Sequence, residues 1–207
     1  MWIIRSWIIV SLVLIGAAQA SPNRSIEFDG TNDYIELNGL PDLGIDSVRT
    51  FEGWIRPRVC SDATAYRAIY SDGSNMLYCE EERLRFQATS NNYNTISTAQ
   101  VLPLNTWTHI ALTMEDEQFS GSAAVRARLF VNGQLMPVSS WRALDSGVDY
   151  AVLRIPTTSP GSVRIGQKSD LYLWNGAMDE MRLWSTTRTH AEILAHRDVQ
   201  LDGSEHP

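Results

Sequence analysis

The chain has 207 residues, with 24 Asp and Glu against 17 Lys and Arg and a formal charge of −7. That balance argues against nucleic acid or an anionic membrane surface as a partner held by bulk electrostatics. It suits solubility and divalent cations, and the sequence shows no internal repeat or low-complexity tract.

Met1 to Ala20 places Arg5 before an apolar stretch from Trp7 to Ile15 and ends in Ala18-Gln19-Ala20, the pattern of a secretory signal peptide with its small-residue cleavage site. The apolar stretch is shorter than the roughly 20 residues a membrane span needs, which disfavours an uncleaved anchor. Cleavage would leave a mature chain from Ser21 to Pro207, with charge −8 once Arg5 is lost, a normal length for one all-β domain. The expected setting is secreted, periplasmic or extracellular, with no membrane span after cleavage.

Further along, Ser25 to Phe28 and Tyr34 to Leu37 read as strands around the turn Asp29-Gly30-Thr31-Asn32-Asp33. Thr50 to Arg56 alternates up to Pro57, which is expected to end that strand. Ala65 to Tyr70, Met76 to Cys79 and Leu84 to Ala88 resemble an antiparallel meander, and polar Thr89 to Thr98 reads as a loop with at most a short strand.

Trp107 to Met114 and Val125 to Val131 have the clearest core alternation, with Arg126, Arg128 and Phe130 facing away. Asn132-Gly133 then signals a type I′ hairpin. Ser139 to Pro160 yields no assignment, whereas Ser162 to Gly166 reads as a strand. In Asn175 to Trp184, strict alternation puts Asp179, Met181 and Leu183 on the inward face. Thr189-His190-Ala191-Glu192 is a capping box that predicts a short helix over Ile193 and Leu194.

Asn175-Gly176-Ala177-Met178-Asp179-Glu180-Met181-Arg182-Leu183-Trp184, followed by Thr189 to Ile193, resembles the closing motif of laminin G-like jelly-roll domains in the concanavalin A-like lectin and glucanase group. Ser25 to Leu37, Phe51 to Ile55, Trp107 to Thr113 and Leu129 to Gly133 fit the same pattern in the same order. The resemblance implies an all-β antiparallel jelly-roll β-sandwich with one short C-terminal helix, a single domain over 21–207 with its core at about Ser25 to His196. Lectins, hydrolases and adhesion modules share this fold, so the function must be argued from a site.

Cys60 and Cys79 are the only cysteines, and an even pair in a secreted chain predicts a disulfide, here across a hairpin between neighbouring strands. Asp29 and Asp179 are the candidate ligands for a structural Ca²⁺, since relatives of this fold often join the first and last strands that way. The competing reading has Asp29 capping its turn and Asp179 accepting backbone hydrogen bonds.

Glycoside hydrolysis needs two carboxyl groups held across a glycosidic bond. The Glu-x-Asp-x-x-Glu type run of jelly-roll glucanases is missing, and Glu80-Glu81-Glu82 and Glu115-Asp116-Glu117 read as solvated charge. The histidines have no nucleophile motif to pair with and read as structural or solvent-facing. Trp54 and Trp184 are alternative stacking surfaces on non-core strand faces.

Together these features predict a secreted, non-catalytic recognition module. Carbohydrate is the leading ligand, bound at Asn91, Asn92, Tyr93 and Asn94, whose amides and ring suit sugars. Adhesion to an extracellular protein is the alternative, and a divergent glycoside hydrolase comes third.

Overall fold

The structure, a computed structural model, describes residues 25–37, 49–60, 66–72, 75–88, 94–120, 122–154, 162–199 and 201. The expected signal peptide lies outside the described residues. Among the described residues, fifteen strands and one helix follow in order: β1 (Ile26–Asp29), β2 (Ile35–Leu37), β3 (Thr50–Val59), β4 (Arg67–Ser71), β5 (Met76–Glu80), β6 (Arg83–Gln87), β7 (Thr95–Val101), β8 (Thr108–Phe119), β9 (Ser122–Val131), β10 (Gln134–Leu135), β11 (Val138–Trp141), β12 (Asp145–Ser146), β13 (Ala151–Arg154), β14 (Val163–Ile165), β15 (Asn175–Trp184) and α1 (His190–His196).

Two antiparallel sheets form a jelly-roll sandwich. The first runs β1-β15-β3-β8-β9-β13-β12 with β10 beside β9, and the second runs β11-β7-β6-β5-β4-β14-β2. Alternation decides what lies between them. Ile110, Leu112 and Met114 from β8 and Val125, Leu129 and Val131 from β9 meet Leu77, Leu84, Phe86 and Ile96 of the second sheet in one buried cluster. Asn132 and Gly133 both adopt positive φ, 51° and 75°, as the type I′ turn after β9 requires.

Several elements depart from the sequence expectations. The strand ending before Pro57 continues through it to Val59. This is tolerated because pairing with β8 stops at Ile55 opposite Thr108, so the missing N–H of Pro57 interrupts no ladder on that side. Thr95 to Val101 is a full strand, and Ser139 to Pro160 contributes β11 to β13. β1 and β2 flank one turn but lie in different sheets.

The largest departure is in β15. Its register against β3 shifts between Asp179 and Arg182, leaving Glu180 and Met181 opposite the single residue Gly53. This is a β-bulge, with Glu180 in the left-handed region at φ 49°. A Cβ on Gly53 would run into Met181, so only glycine allows the close approach. The extra residue flips the side-chain phase: Met178 and Leu183 both enter the core, and Asp179 pairs with Trp54 on the outer face.

The disulfide forms between Cys60 and Cys79 as expected. It does not link neighbouring strands. Cys60 follows β3 of the first sheet and Cys79 lies on β5 of the second, so the bond clamps the two layers together across the core.

α1 carries the expected capping box, with the Thr189 side chain and Glu192 backbone, and the Glu192 side chain and Thr189 backbone, bonded reciprocally. Ile193 packs against Ala111 and Phe130, so Phe130 faces away from the main core yet is buried under the helix, while Leu194 stays exposed. The outer face of the first sheet is therefore covered around α1.

Candidate functional site

The outer face of the second sheet is packed over at Ala68, Met76 and Tyr78, and beside that cluster its side chains form a groove of about 560 Å³. Period-two alternation builds it: Leu77 and Cys79, Leu84 and Phe86, and Ile96 point into the core, which turns Tyr78 and Glu80, Arg83 and Arg85, and Thr95 and Ser97 outward. Ser139, Ser140 and Trp141 of β11 close one side, and Tyr66, just before β4, closes the other.

Each end carries aromatic surface. Trp141 is 63% exposed at the edge of the sheet, opposite Thr95 of β7. At the other end Tyr66 stacks on Tyr172 at 5.5 Å with planes 12° apart, and tilts against Tyr78 at 5.2 Å. Between them Arg85 pairs with Glu80 and, at 2.7 Å, with Glu81. Glu81 and Glu82 form the two-residue turn of this hairpin, both at positive φ, which brings the Glu81 carboxylate back over Arg85.

Burial sets the protonation of these groups. Desolvation raises the Glu80 carboxyl above its ordinary value despite the adjacent Arg85 cation. Burial, then the Glu80 charge, also raises the Tyr66 and Tyr78 phenols, so both keep their O–H at neutral pH. The site therefore offers ring faces, hydroxyl groups and one tethered ion pair.

Asn91, Asn92 and Tyr93 lie outside the described residues. Asn94 is half-buried, and its Nδ2 donates to the Arg154 carbonyl at 3.3 Å, so it holds its loop to β13 rather than lining the groove.

Asp29 and Asp179 are not brought together. β1 pairs Asp29 with Asn175, and Asp179 lies four residues further along β15, about 13 Å by strand rise. Asp29 Oδ1 accepts from the Thr31 N–H at 2.6 Å, an Asx turn, and Asp179 Oδ1 accepts from the Glu180 N–H at 2.9 Å. Burial raises the Asp179 carboxyl, and among the described residues no group of three His, Cys, Asp or Glu gathers as a metal site. The two residues do not fit a shared calcium ion.

Trp54 and Trp184, although on the outer face of the first sheet, are not open stacking surfaces. Trp184 is buried with its indole N–H donating to Glu52 Oε1 at 2.8 Å, and half-buried Trp54 donates to the Arg197 carbonyl at 2.8 Å. His109 is buried beside Glu52, and burial, with the nearby Arg182 and Arg197 cations, pushes its pKa down to about 4. It is a structural histidine. Glu115 and Glu117 extend β8 and pair on the surface with Arg128 and Arg126.

Sequence reasoning missed Tyr66, Tyr78, Arg85 and Trp141. The usable signal was the outward register of the meander, where Tyr78, Glu80, Arg83 and Arg85 alternate with apolar positions.

A lectin-type sandwich with one covered and one grooved face is the class this architecture defines. The chain belongs to the concanavalin A-like lectin/glucanases superfamily, whose Laminin G-like family model matches residues 29–194. No curated protein matches it. Among solved structures it is similar to the IT-sialidase CBM40 of Ruminococcus gnavus bound to α2,3-sialyllactose, at 16% identity and TM-score 0.58, over 84% of this chain and 96% of that one. It is also similar to domain 4 of AbnA, a GH43 extracellular arabinanase from Geobacillus stearothermophilus, in complex with arabinotriose, at 16% identity and TM-score 0.53, over 92% and 81%. A third is the heptameric SAP-like pentraxin of Limulus polyphemus, at 15% identity and TM-score 0.52, over 82% and 79%. At such identities the likeness is one of fold.

Proposed function

We propose that the protein is a secreted, non-catalytic carbohydrate-binding module whose ligand lies in the groove on the second sheet. The observation that carries this reading is the groove itself: two aromatic surfaces flank a floor of Arg85, Glu80, Thr95, Ser97, Ser139 and Ser140. Ring faces stack on the C–H faces of sugars while the floor supplies hydrogen bonds. The solved relatives with bound sialyllactose and arabinotriose lend support. Glu80 is the one carboxylate among the described residues that line the groove, and it is tied to Arg85, which supports binding over hydrolysis.

Trp141 is the residue to test, because its exposure means that its removal leaves the core intact. Trp141→Ala is expected to weaken glycan binding by about tenfold, or ~1.4 kcal/mol, with an unchanged melting temperature. Unchanged affinity on a glycan array would move the site elsewhere. Absence of any glycan binding would favour the protein-adhesion alternative, and turnover of a polysaccharide would overturn the non-catalytic reading.

Calcium, if the protein binds it, is proposed to act without joining Asp29 to Asp179. Any rise in melting temperature that Ca²⁺ produces and EDTA reverses is expected to survive Asp179→Ala, since only binding to the native state stabilises it. Loss of that rise in the variant would restore Asp179 as a ligand.

A further inference from the structure

Resting on the carbohydrate reading, we infer that the groove takes an uncharged oligosaccharide that spans from Trp141 to Tyr66, and not an acidic glycan. Both groove arginines are already engaged. Arg85 is held by the carboxylates of Glu80 and Glu81, and Arg83 Nη1 donates to the carbonyls of Thr98, at 3.1 Å, and Ala99. An incoming carboxylate or sulfate would meet two carboxylates competing for the same guanidinium, with the −7 charge of the chain opposing its approach.

The remaining hydrogen-bonding groups are suited to neutral hydroxyls. Tyr66, which lines the groove, carries a phenol O–H, a neutral hydrogen-bonding group. Thr95, Ser97 and Ser139 line the groove with hydroxyls that both donate and accept. Neither feature requires a charge on the ligand.

The separation of the aromatic ends sets the ligand length. Trp141 is on β11 and Tyr66 precedes β4, four strand positions away, about 19 Å laterally at the usual inter-strand spacing, and the register that runs from Trp141 through Thr95, Gln87 and Met76 to Ser71 sets Tyr66 further off along β4. One sugar ring cannot reach both. A chain of several rings laid across the strands can stack at each end while its hydroxyls meet the floor.

The test is isothermal titration of the full chain with neutral tetrasaccharides of glucose, mannose, xylose and arabinose, with the corresponding monosaccharides, and with tetragalacturonate and sialyllactose. At least one neutral tetrasaccharide is expected to bind ten times more tightly than either acidic glycan and than its own monosaccharide. Trp141→Ala and Tyr66→Ala should each weaken it. Glu80→Gln, which frees Arg85 from one carboxylate, should raise affinity for the acidic probes and lower it for the neutral one. Acidic glycans bound as tightly as neutral ones, through Trp141, would overturn this inference and leave the carbohydrate reading intact, as would a monosaccharide bound as tightly as its tetrasaccharide. No binding by any probe to the folded protein would overturn the carbohydrate reading itself.

Discussion

Replacing Glu52 with alanine is expected to remove about 3–5 kcal/mol of folding stability, because it strips the counter-ion from a buried charge cluster. Glu52 is fully buried between the first sheet and α1. Its Oε1 accepts from the Trp184 indole and lies 3.9 Å from Arg182 Nη1 and 4.0 Å from Arg188 Nε, while Oε2 lies 3.7 Å from His109 Nε2. Burial raises the carboxyl despite both guanidinium groups. Without it, Arg188 stays packed over the Trp184 ring at 4.0 Å with no counter-ion in the cluster, and Arg182 keeps only Glu180.

The cluster also anchors the helix, since Arg182 donates to the carbonyl of His196 at the helix end and to that of Val199 just beyond it. Urea denaturation measures the loss, and Glu52→Gln, which keeps the shape and an acceptor for Trp184, should fall between wild type and alanine. A loss under about 1 kcal/mol would mean that the two arginines reach water on their own.

Replacing both cysteines with serine is expected to lower stability by about 3 kcal/mol, the loop-entropy value for a closed segment of this size. The bond joins residues 19 apart, and its ends lie in opposite sheets, so its loss frees the layers to part in the denatured ensemble. The same drop should follow reduction of the wild-type protein, read as a shift in urea midpoint. Equal midpoints for oxidised and reduced protein would show that the core alone fixes the packing of the sheets.

The features legible in the sequence are those set by short-range rules. The capping box at Thr189 and Glu192, the Asn132-Gly133 turn and the alternation of β8 and β9 each depend on neighbours within a few residues, and each forms as read. Asp179 shows where that fails. Nothing local marks the bulge at Glu180 and Met181, because it arises from the register of β15 against Gly53, more than a hundred residues away. One extra residue then reversed the inferred side of the strand.

The cysteine pairing was legible from composition, but the layers it joins were not, since connectivity between sheets is a property of topology. The groove was hidden for a different reason. β7 and β11 present Thr95, Ser97, Ser139 and Trp141 on a polar outer face, so their hydrophobic signal is thin, and the first reads as a loop while the second yields no assignment. A groove made of outward residues from four strands takes shape only once those strands are placed side by side.

β1 is the edge strand of the first sheet, and α1 lies on that sheet's outer face, so the first and last described elements both belong to that layer. The groove looks the opposite way. The groove runs across the strands of the second sheet, from β11 to the start of β4. The two faces of the sandwich are thus divided in form, with the helix packed on one and the groove laid across the other.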